Sequence, residues 1–388
     1  MAQRKNSKAL IVGGGIGGLS AALALRQIGM DVTVFESVNE VKEVGAGVTI
    51  WPNAVRALRK LGVVDALQAI GLPAIYRTIL TWQGKLLSEI RVDRLADQMG
   101  SSIMLVHRAA LQSALLQALG EADVQLGAKC VGITQDEGRV QAQFEDGRET
   151  QGDLLIGADG GRSVVRQHLF GEKKVRYAGY TSWRGIASVE EKHIPIGVSS
   201  ETWGRGRRLG LIPMNNGRMY WFAVQNAPEG EGKHEAAPER KRYVQELFRG
   251  WHEPIEAVLE ATETSTIIRT DVYELELLSH WCKGQVTLLG DAAHAMTPNM
   301  GQGVCQAIED AVVLGACLNE GSAIAPALQM YEARRMRLTN RVAIQSRRIG
   351  HISQLENPLL CQLRDVLVKH LYTGFLSKEL EWILRYEA

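Results

Sequence analysis

Three stretches of this sequence combine glycines with carboxylates at spacings that can do chemistry. The first is Gly13-Gly14-Gly15-Ile16-Gly17-Gly18, which matches G-x-G-x-x-G with Gly13, Gly15 and Gly18 in register. In that pattern the first glycine allows a tight turn, the second lets backbone approach a pyrophosphate, and the third lets helix and strand pack closely. The helix that follows offers free N–H groups and a partial positive charge to phosphate oxygens. Glu36 closes the next apolar run, where a carboxylate can accept from the hydroxyl pair of a ribose.

The second stretch runs from Gly152 to Arg166 and centres on Asp159-Gly160. A buried strand delivers Asp159 to a glycine-lined turn. Two readings stand side by side: a carboxylate facing a cofactor, or a type I turn rich in Asp and Gly. The third stretch runs from Val286 to Gly303. Asp291 follows a buried strand, where its charge needs hydrogen-bond partners such as sugar-chain hydroxyls. Gly301 to Gly303 precede a helix whose first amides can face a developing negative charge. That helix carries Glu309 and Asp310. His294 alone reads as a structural hydrogen-bonder rather than a base. No second His or carboxylate sits at ligand spacing, so no metal site is expected.

The elements that must position these residues follow from apolar periodicity. Ala9 to Val12 is a short buried run and predicts a parallel strand. Gly13 to Gly18 read as a turn, Leu19 to Ile28 as a helix stopped by Gly29, and Asp31 to Glu36 as a second strand, which together make one βαβ unit. Residues 102–120 predict a helix, 124–144 short strands around Gly138, and Asp153 to Ile156 another buried strand. Residues 180–225 alternate and are rich in aromatics, which predicts an antiparallel sheet with one wet face. A helix is expected over 241–261, a strand at Val286 to Leu289, a helix from about Val304, and Leu-faced helices over 340–388. The expected fold class is α/β: a discontinuous, Rossmann-like cofactor domain with an inserted antiparallel-sheet substrate domain and C-terminal helices. The expected division is 1–72, 98–178 and 276–345 for the discontinuous cofactor domain. The substrate domain takes 73–97 and 179–275, and the C-terminal helices 346–388.

Bulk composition narrows the partners. Lys plus Arg number 44 against 43 Asp plus Glu, so net charge gives no reason to expect nucleic acid or an anionic membrane. No window approaches the ~20 apolar residues of a membrane span. The polar start MAQRKNSK does not read as a signal peptide. Five scattered cysteines read as reduced thiols of a cytoplasmic protein. A monomer or a homodimer both fit.

The three motifs in this order resemble the class A flavoprotein monooxygenases, the p-hydroxybenzoate hydroxylase-like aromatic hydroxylases, over nearly the whole chain to about residue 345. The resemblance implies that the Rossmann-like cofactor domain is an FAD-binding domain of the GR2 type, with bound FAD, NADH or NADPH as co-substrate, O2, and a small-molecule substrate. It implies a flavin 4a-hydroperoxide that places one oxygen on an electron-rich aromatic or heteroaromatic ring. It assigns Glu36 and Ser37 to the adenosine ribose, Asp291 to the ribityl chain, and Asp159 with Gly160 to the pyrophosphate region. In the stretch 106–112, Arg108 would reach the flavin and Gln112 the pyrophosphate region. Gly45 to Val48, with Gly47 and Val48, would run along the ring. Pro298 would border the cofactor, and the amides of Gly301, Gly303 and Val304 would meet negative charge on the ring. The absence of a second G-x-G-x-x-G agrees with transient nicotinamide binding and argues against disulfide reductases.

Within that family the chain is similar to the branch of FAD-dependent urate hydroxylase and zeaxanthin epoxidase, through Trp51-Pro52-Asn53, Arg176 to Tyr180 and Gly206-Arg207-Arg208. The resemblance puts Arg208 and Tyr220 at substrate-contacting positions. The residues alone leave a sheet-surface charge and core packing open for these two. Thr181-Ser182-Trp183-Arg184 and the 226–240 loop depart from the urate enzyme. Two other outcomes remain: an epoxidase or tailoring monooxygenase on a lipophilic quinone-, quinolone- or carotenoid-like molecule, and a non-catalytic flavin-binding protein.

Overall fold

The computed structural model describes residues 7–40, 46–120, 123–136, 138–189, 196–321, 323–372 and 381–388. The apolar run Lys8–Val12 becomes an inner strand of a six-stranded sheet. It lies parallel to both Asp31–Phe35 and Leu154–Gly157, with Ala9 opposite Val32 and Leu154. Val286–Leu288 extends the sheet in parallel beyond Leu154–Gly157. Parallel strands covered on both faces need largely apolar sequence: Ala9 to Val12 and Leu154 to Ile156 are unbroken apolar runs, and Asp31–Phe35 and Val286–Leu288 each include a threonine. One sheet thus gathers the carboxyl ends of three strands from distant parts of the chain. Each of the three motifs begins at one of these ends, the place where open α/β sheets bind ligands.

A second sheet has seven strands, in the order Ile268–Leu275, Val175–Ser188, Arg218–Asn226, Arg207–Met214, Val198–Trp203, Tyr76–Thr81 and Leu86–Arg91. It is antiparallel except where Val198–Trp203 runs parallel to Tyr76–Thr81. The expected wet face is absent. One face, carrying Trp183, Leu209, Leu211, Trp221 and Ala223, packs on Val244, Phe248 and Val258. The alternate residues, among them Arg184, Arg208, Tyr220 and Phe222, line a cavity instead. The two-residue period of a strand separates these faces.

Several local expectations are corrected. Residues 102–120 divide into a strand, Met104–His107, and a helix, Arg108–Leu119. The helix expected over 241–261 is two, Ala237–Leu247 and Ile255–Glu260, with Pro254 at the start of the second. The helix expected from Leu19 spans Ile16–Gln27. The helix Ile324–Ser353 runs without a break through residues 345 and 346. In Pro358–Leu367 the leucines 359, 360, 363 and 367 face solvent, Leu359 being 74% exposed, so they are not core. No helix among the described residues is long and apolar enough to cross a membrane. All five cysteines are free thiols.

Candidate active site

The glycine loop is built for close backbone approach. Gly13 sits at φ +112°, a conformation L side chains rarely adopt. A Cβ on Gly18 would lie 1.9 Å from the Gly13 carbonyl oxygen, and one on Gly13 would lie 2.3 Å from that of Ala158. Beside Gly15, by contrast, no atom lies within 4 Å of the Cβ position. Gly15 is also the N-cap of Ile16–Gln27, whose first turn has no side-chain cap. The first amides of a helix lack internal partners, so this open face presents N–H donors, those of Ile16 and Gly17 among them, to an anion.

The carboxylates expected around the loop are partly committed to it. Glu36 Oε2 accepts from the Gly14 amide at 2.7 Å, and Oε1 accepts from the Ser37 hydroxyl at 2.9 Å. Gln112 Nε2 donates to the Gly14 carbonyl at 2.8 Å. Asp159 accepts from the Ser163 hydroxyl at 2.5 Å and from the Val164 amide at 2.7 Å, at the start of the helix Val164–Phe170. Burial raises its pKa despite these bonds. Gly160 takes φ +80° in the same turn. Asp291, expected to be buried, is exposed at the cavity wall, with Gly303 beside its Oδ1.

The cavity holds about 550 Å³. One wall is made by Gly47 and Val48, by Arg108, and by Pro298, Gly301, Gly303 and Val304. Gly301, at φ +62°, turns the chain into the helix Gly303–Glu320, so the N-terminus of an 18-residue helix points at the cavity. Gly45 lies outside the described residues. The opposite wall is the seven-stranded sheet. Tyr220 closes against the first wall: a Cβ on Gly47 would lie 2.6 Å from its ring. Its hydroxyl has no hydrogen-bond partner among the described residues. Burial pushes that hydroxyl's pKa up, partly offset by the Arg184 guanidinium, so it is a donor at neutral pH.

Arg208 is not a surface charge. It is 2% exposed. Nη1 donates to Glu201 Oε1 at 2.8 Å, and Nη2 donates to Asn299 Oδ1. Glu201 also accepts from Trp203 Nε1 at 2.9 Å and pairs with Arg77 at 3.5 Å. Burial penalises this carboxylate, but Arg208 and Arg77 outweigh the penalty and hold its pKa low. Asn299 donates to Tyr180, Thr297 and the Ser346 carbonyl. It therefore ties the sheet to the turn that presents Gly301. Sequence reasoning missed Glu201, Asn299, Arg77, Arg184 and Phe222; alternation in strands marks which of them share a face, but only the strand register brings them together.

Behind the cofactor wall lies a buried charge cluster. His294 Nε2 meets Asp310 Oδ2 at 2.6 Å, so His294 has the structural role expected of it. Arg335 Nε donates to Asp310 Oδ1 at 2.7 Å, and Arg335 Nη2 lies 3.1 Å from Glu309 Oε2. Burial opposes ionisation of Asp310, yet His294 and Arg335 keep its pKa low. Burial raises Glu309 to about 7, against the pull of Arg335. Among the described residues no three His, Cys, Asp or Glu side chains gather as metal ligands.

An open glycine loop with uncapped helix amides, and a helix N-terminus facing a cavity, fit a dinucleotide with a planar ring. The pattern of the FAD binding domain family matches residues 6–346, and the chain belongs to this family. It is an FAD-dependent monooxygenase with NADH or NADPH as co-substrate. It is 43% identical over 360 residues to the aurachin C monooxygenase/isomerase of Stigmatella aurantiaca, covering 93% of each chain. It is 37% identical over 378 residues to the FAD-dependent urate hydroxylase of Klebsiella pneumoniae, covering 95% of this chain and 97% of that one. The crystal structure of Klebsiella pneumoniae HpxO complexed with FAD and uric acid superposes with a TM-score of 0.92 at 33% identity, over 97% and 96% of the two chains.

Proposed function

We propose that the enzyme hydroxylates an electron-rich, planar aromatic or heteroaromatic molecule held between the flavin-side wall and the seven-stranded sheet. The observation that carries this reading is the two-walled cavity, with a helix N-terminus on one side and Tyr220, Phe222 and three arginines on the other. Bound FAD supplies hydride acceptance from NAD(P)H and the activation of O2 for transfer of one oxygen atom. In our reading the amides of the Gly13–Gly18 loop hold the diphosphate, Glu36 and Ser37 the adenosine ribose, and Asp291 the ribityl chain. Gln112 fixes the loop through Gly14. Arg108 lies at the ring's edge, and the amides of Gly301, Gly303 and Val304 oppose negative charge there. Asp159 and Gly160 shape the turn beside the diphosphate. The Tyr220 hydroxyl donates a hydrogen bond to a ring oxygen, and Arg208 orders that side of the cavity through Glu201 and Asn299. The apolar side chains exclude water, which strengthens every charge interaction inside.

We assign 1–72, 98–178 and 276–345 to the cofactor unit, 73–97 and 179–275 to the substrate unit, and 346–388 to C-terminal helices. We place the enzyme in the cytoplasm as a monomer or homodimer. The kinship with the aurachin C enzyme favours a second reading, a tailoring oxygenation of a lipophilic ring system; Val92, Ile103 and Leu105 give the cavity an apolar end that suits it.

Anaerobic rapid mixing with NADH or NADPH tests the proposal, with urate, salicylate, 4-hydroxybenzoate and a 2-alkyl-4-quinolone present one at a time. A planar ring is expected to accelerate flavin bleaching by roughly tenfold or more, a difference of about 1.4 kcal/mol in barrier. Equal rates with and without every ring would contradict it.

A further inference from the structure

The cations of the substrate wall are unequally paired. Glu201 serves two arginines, Arg208 at 2.8 Å and Arg77 at 3.5 Å. Arg184, three strands away from Glu201, has no carboxylate among the described residues. Its Nη2 donates to the Thr270 hydroxyl at 3.0 Å, and its Nε is buried with no acceptor. The Arg184 side chain is half-buried, so its guanidinium is partly desolvated without a counter-charge and keeps donors for an anion that enters the cavity. The Arg184 side chain lines the cavity.

The strand register puts Arg184 in a row. Arg184 lies opposite Phe222, Phe222 opposite Gly210, and Gly210 opposite Glu201. The Phe222 ring occupies the place where a side chain on Gly210 would stand: a Cβ there would lie 2.1 Å from the ring. The bare glycine lets the ring lie over the sheet. The row therefore has a cation at one end, a flat aromatic surface in the middle, and a carboxylate neutralised by two arginines at the other. The Tyr220 hydroxyl, free among the described residues, is one row further along, with Ile186 opposite on the Arg184 strand.

Resting on the reading of this cavity as the substrate site, we propose that Arg184 anchors an ionised ring oxygen or carboxylate of a planar substrate stacked on Phe222. This makes Arg184, not Arg208, the residue that selects acidic rings over neutral ones. Arg208 already has a counter-charge in Glu201 and a second acceptor in Asn299; its Nε, like that of Arg184, is buried without an acceptor, but Arg184 has no carboxylate among the described residues. An ionised ring oxygen, unlike a carboxylate, also feeds electron density into the ring, so a phenolate-type anion held there is in the form most open to an electrophilic oxygen.

The test is equilibrium binding to the FAD-loaded enzyme, read from perturbation of flavin absorbance. The probes are urate, and two matched pairs of acid and neutral amide: salicylate with salicylamide, and 4-hydroxybenzoate with 4-hydroxybenzamide. The wild type is expected to bind an acid more tightly than its amide. Arg184→Gln is expected to weaken acid binding roughly tenfold or more, leave the amide within about twofold, and leave FAD affinity unchanged. Arg184→Lys is expected to recover part of the loss, because it restores the charge without the planar fork. Amide binding as tight as acid binding in the wild type overturns the proposal without any variant. So does an Arg184→Gln enzyme that binds the acids as the wild type does. If no ring, acid or neutral, binds or speeds flavin reduction, the substrate reading fails and the proposal falls with it. If rings speed reduction but Arg184→Gln keeps the wild-type preference for acid over amide, only the anchor is wrong.

Discussion

The two walls of the cavity are made by different means. The cofactor wall is largely backbone: Gly47, which admits no Cβ, Gly301 at φ +62°, and the first amides of a helix with no side-chain cap. The substrate wall is side chains: Arg77, Glu201, Arg208, Tyr220, Phe222 and Arg184, drawn from five strands. A backbone site depends on local sequence, because spacing alone sets the turn and the helix start. A side-chain site depends on register, because a one-residue slip moves each residue to the other face of the sheet. The first kind tolerates little change and suits a fixed cofactor. The second can change residue by residue and suits a variable substrate.

Breaking the support under the cofactor wall gives the largest expected effect. Arg335→Leu leaves Glu309 and Asp310 buried without their shared cation, and removal of one partner of a buried pair costs about 3–5 kcal/mol. Urea unfolding of the FAD-free protein checks it. Next comes Gly18→Ala, whose methyl would meet the Gly13 carbonyl at 1.9 Å. A loss of about 3 kcal/mol, roughly a hundredfold in FAD Kd, is expected, with the substrate sheet intact by circular dichroism.

Glu309 gives a pH signature. Its folded pKa of about 7 lies above the ordinary 4.5. Its contribution to stability is therefore full below about pH 4.5 and is lost as pH rises to about 7. In Glu309→Gln that part of the pH dependence, roughly 1–3 kcal/mol, should vanish; thermal melts across the range measure it. On the other wall, Gly210→Ala is expected to displace the Phe222 ring at a cost of about 1–2 kcal/mol. It should appear in substrate KM while FAD affinity stays put. The smallest effect is expected from Leu363→Glu on the exposed helix face, within about 0.5 kcal/mol of the wild type in unfolding free energy.

The sequence was most legible where structure is local. The strand before Gly13 stands where spacing placed it, and the helix after the glycine turn is there but starts three residues earlier, at Ile16. Gln112 does reach the loop, through Gly14. Arg208 and Tyr220 are in the cavity wall. Asp159 shows a limit: the residues around it suit a cofactor and a turn equally, and only the bonds to Ser163, Val164 and Val165 reveal its grip on a helix start. Arg184 and Phe222 were illegible as a pair because 38 positions of chain separate residues that are cross-strand neighbours. Glu201 was hidden for the same reason, and the solvent-facing leucines of Pro358–Leu367 because helical periodicity shows a stripe without showing what covers it.

The most direct test of the monooxygenase account is turnover under 18O2 with NAD(P)H, using whichever ring accelerates flavin reduction. One 18O atom in the product for each NAD(P)H consumed is the expected result. NAD(P)H consumed with all reduced oxygen appearing as hydrogen peroxide, and no label in the ring, would contradict it.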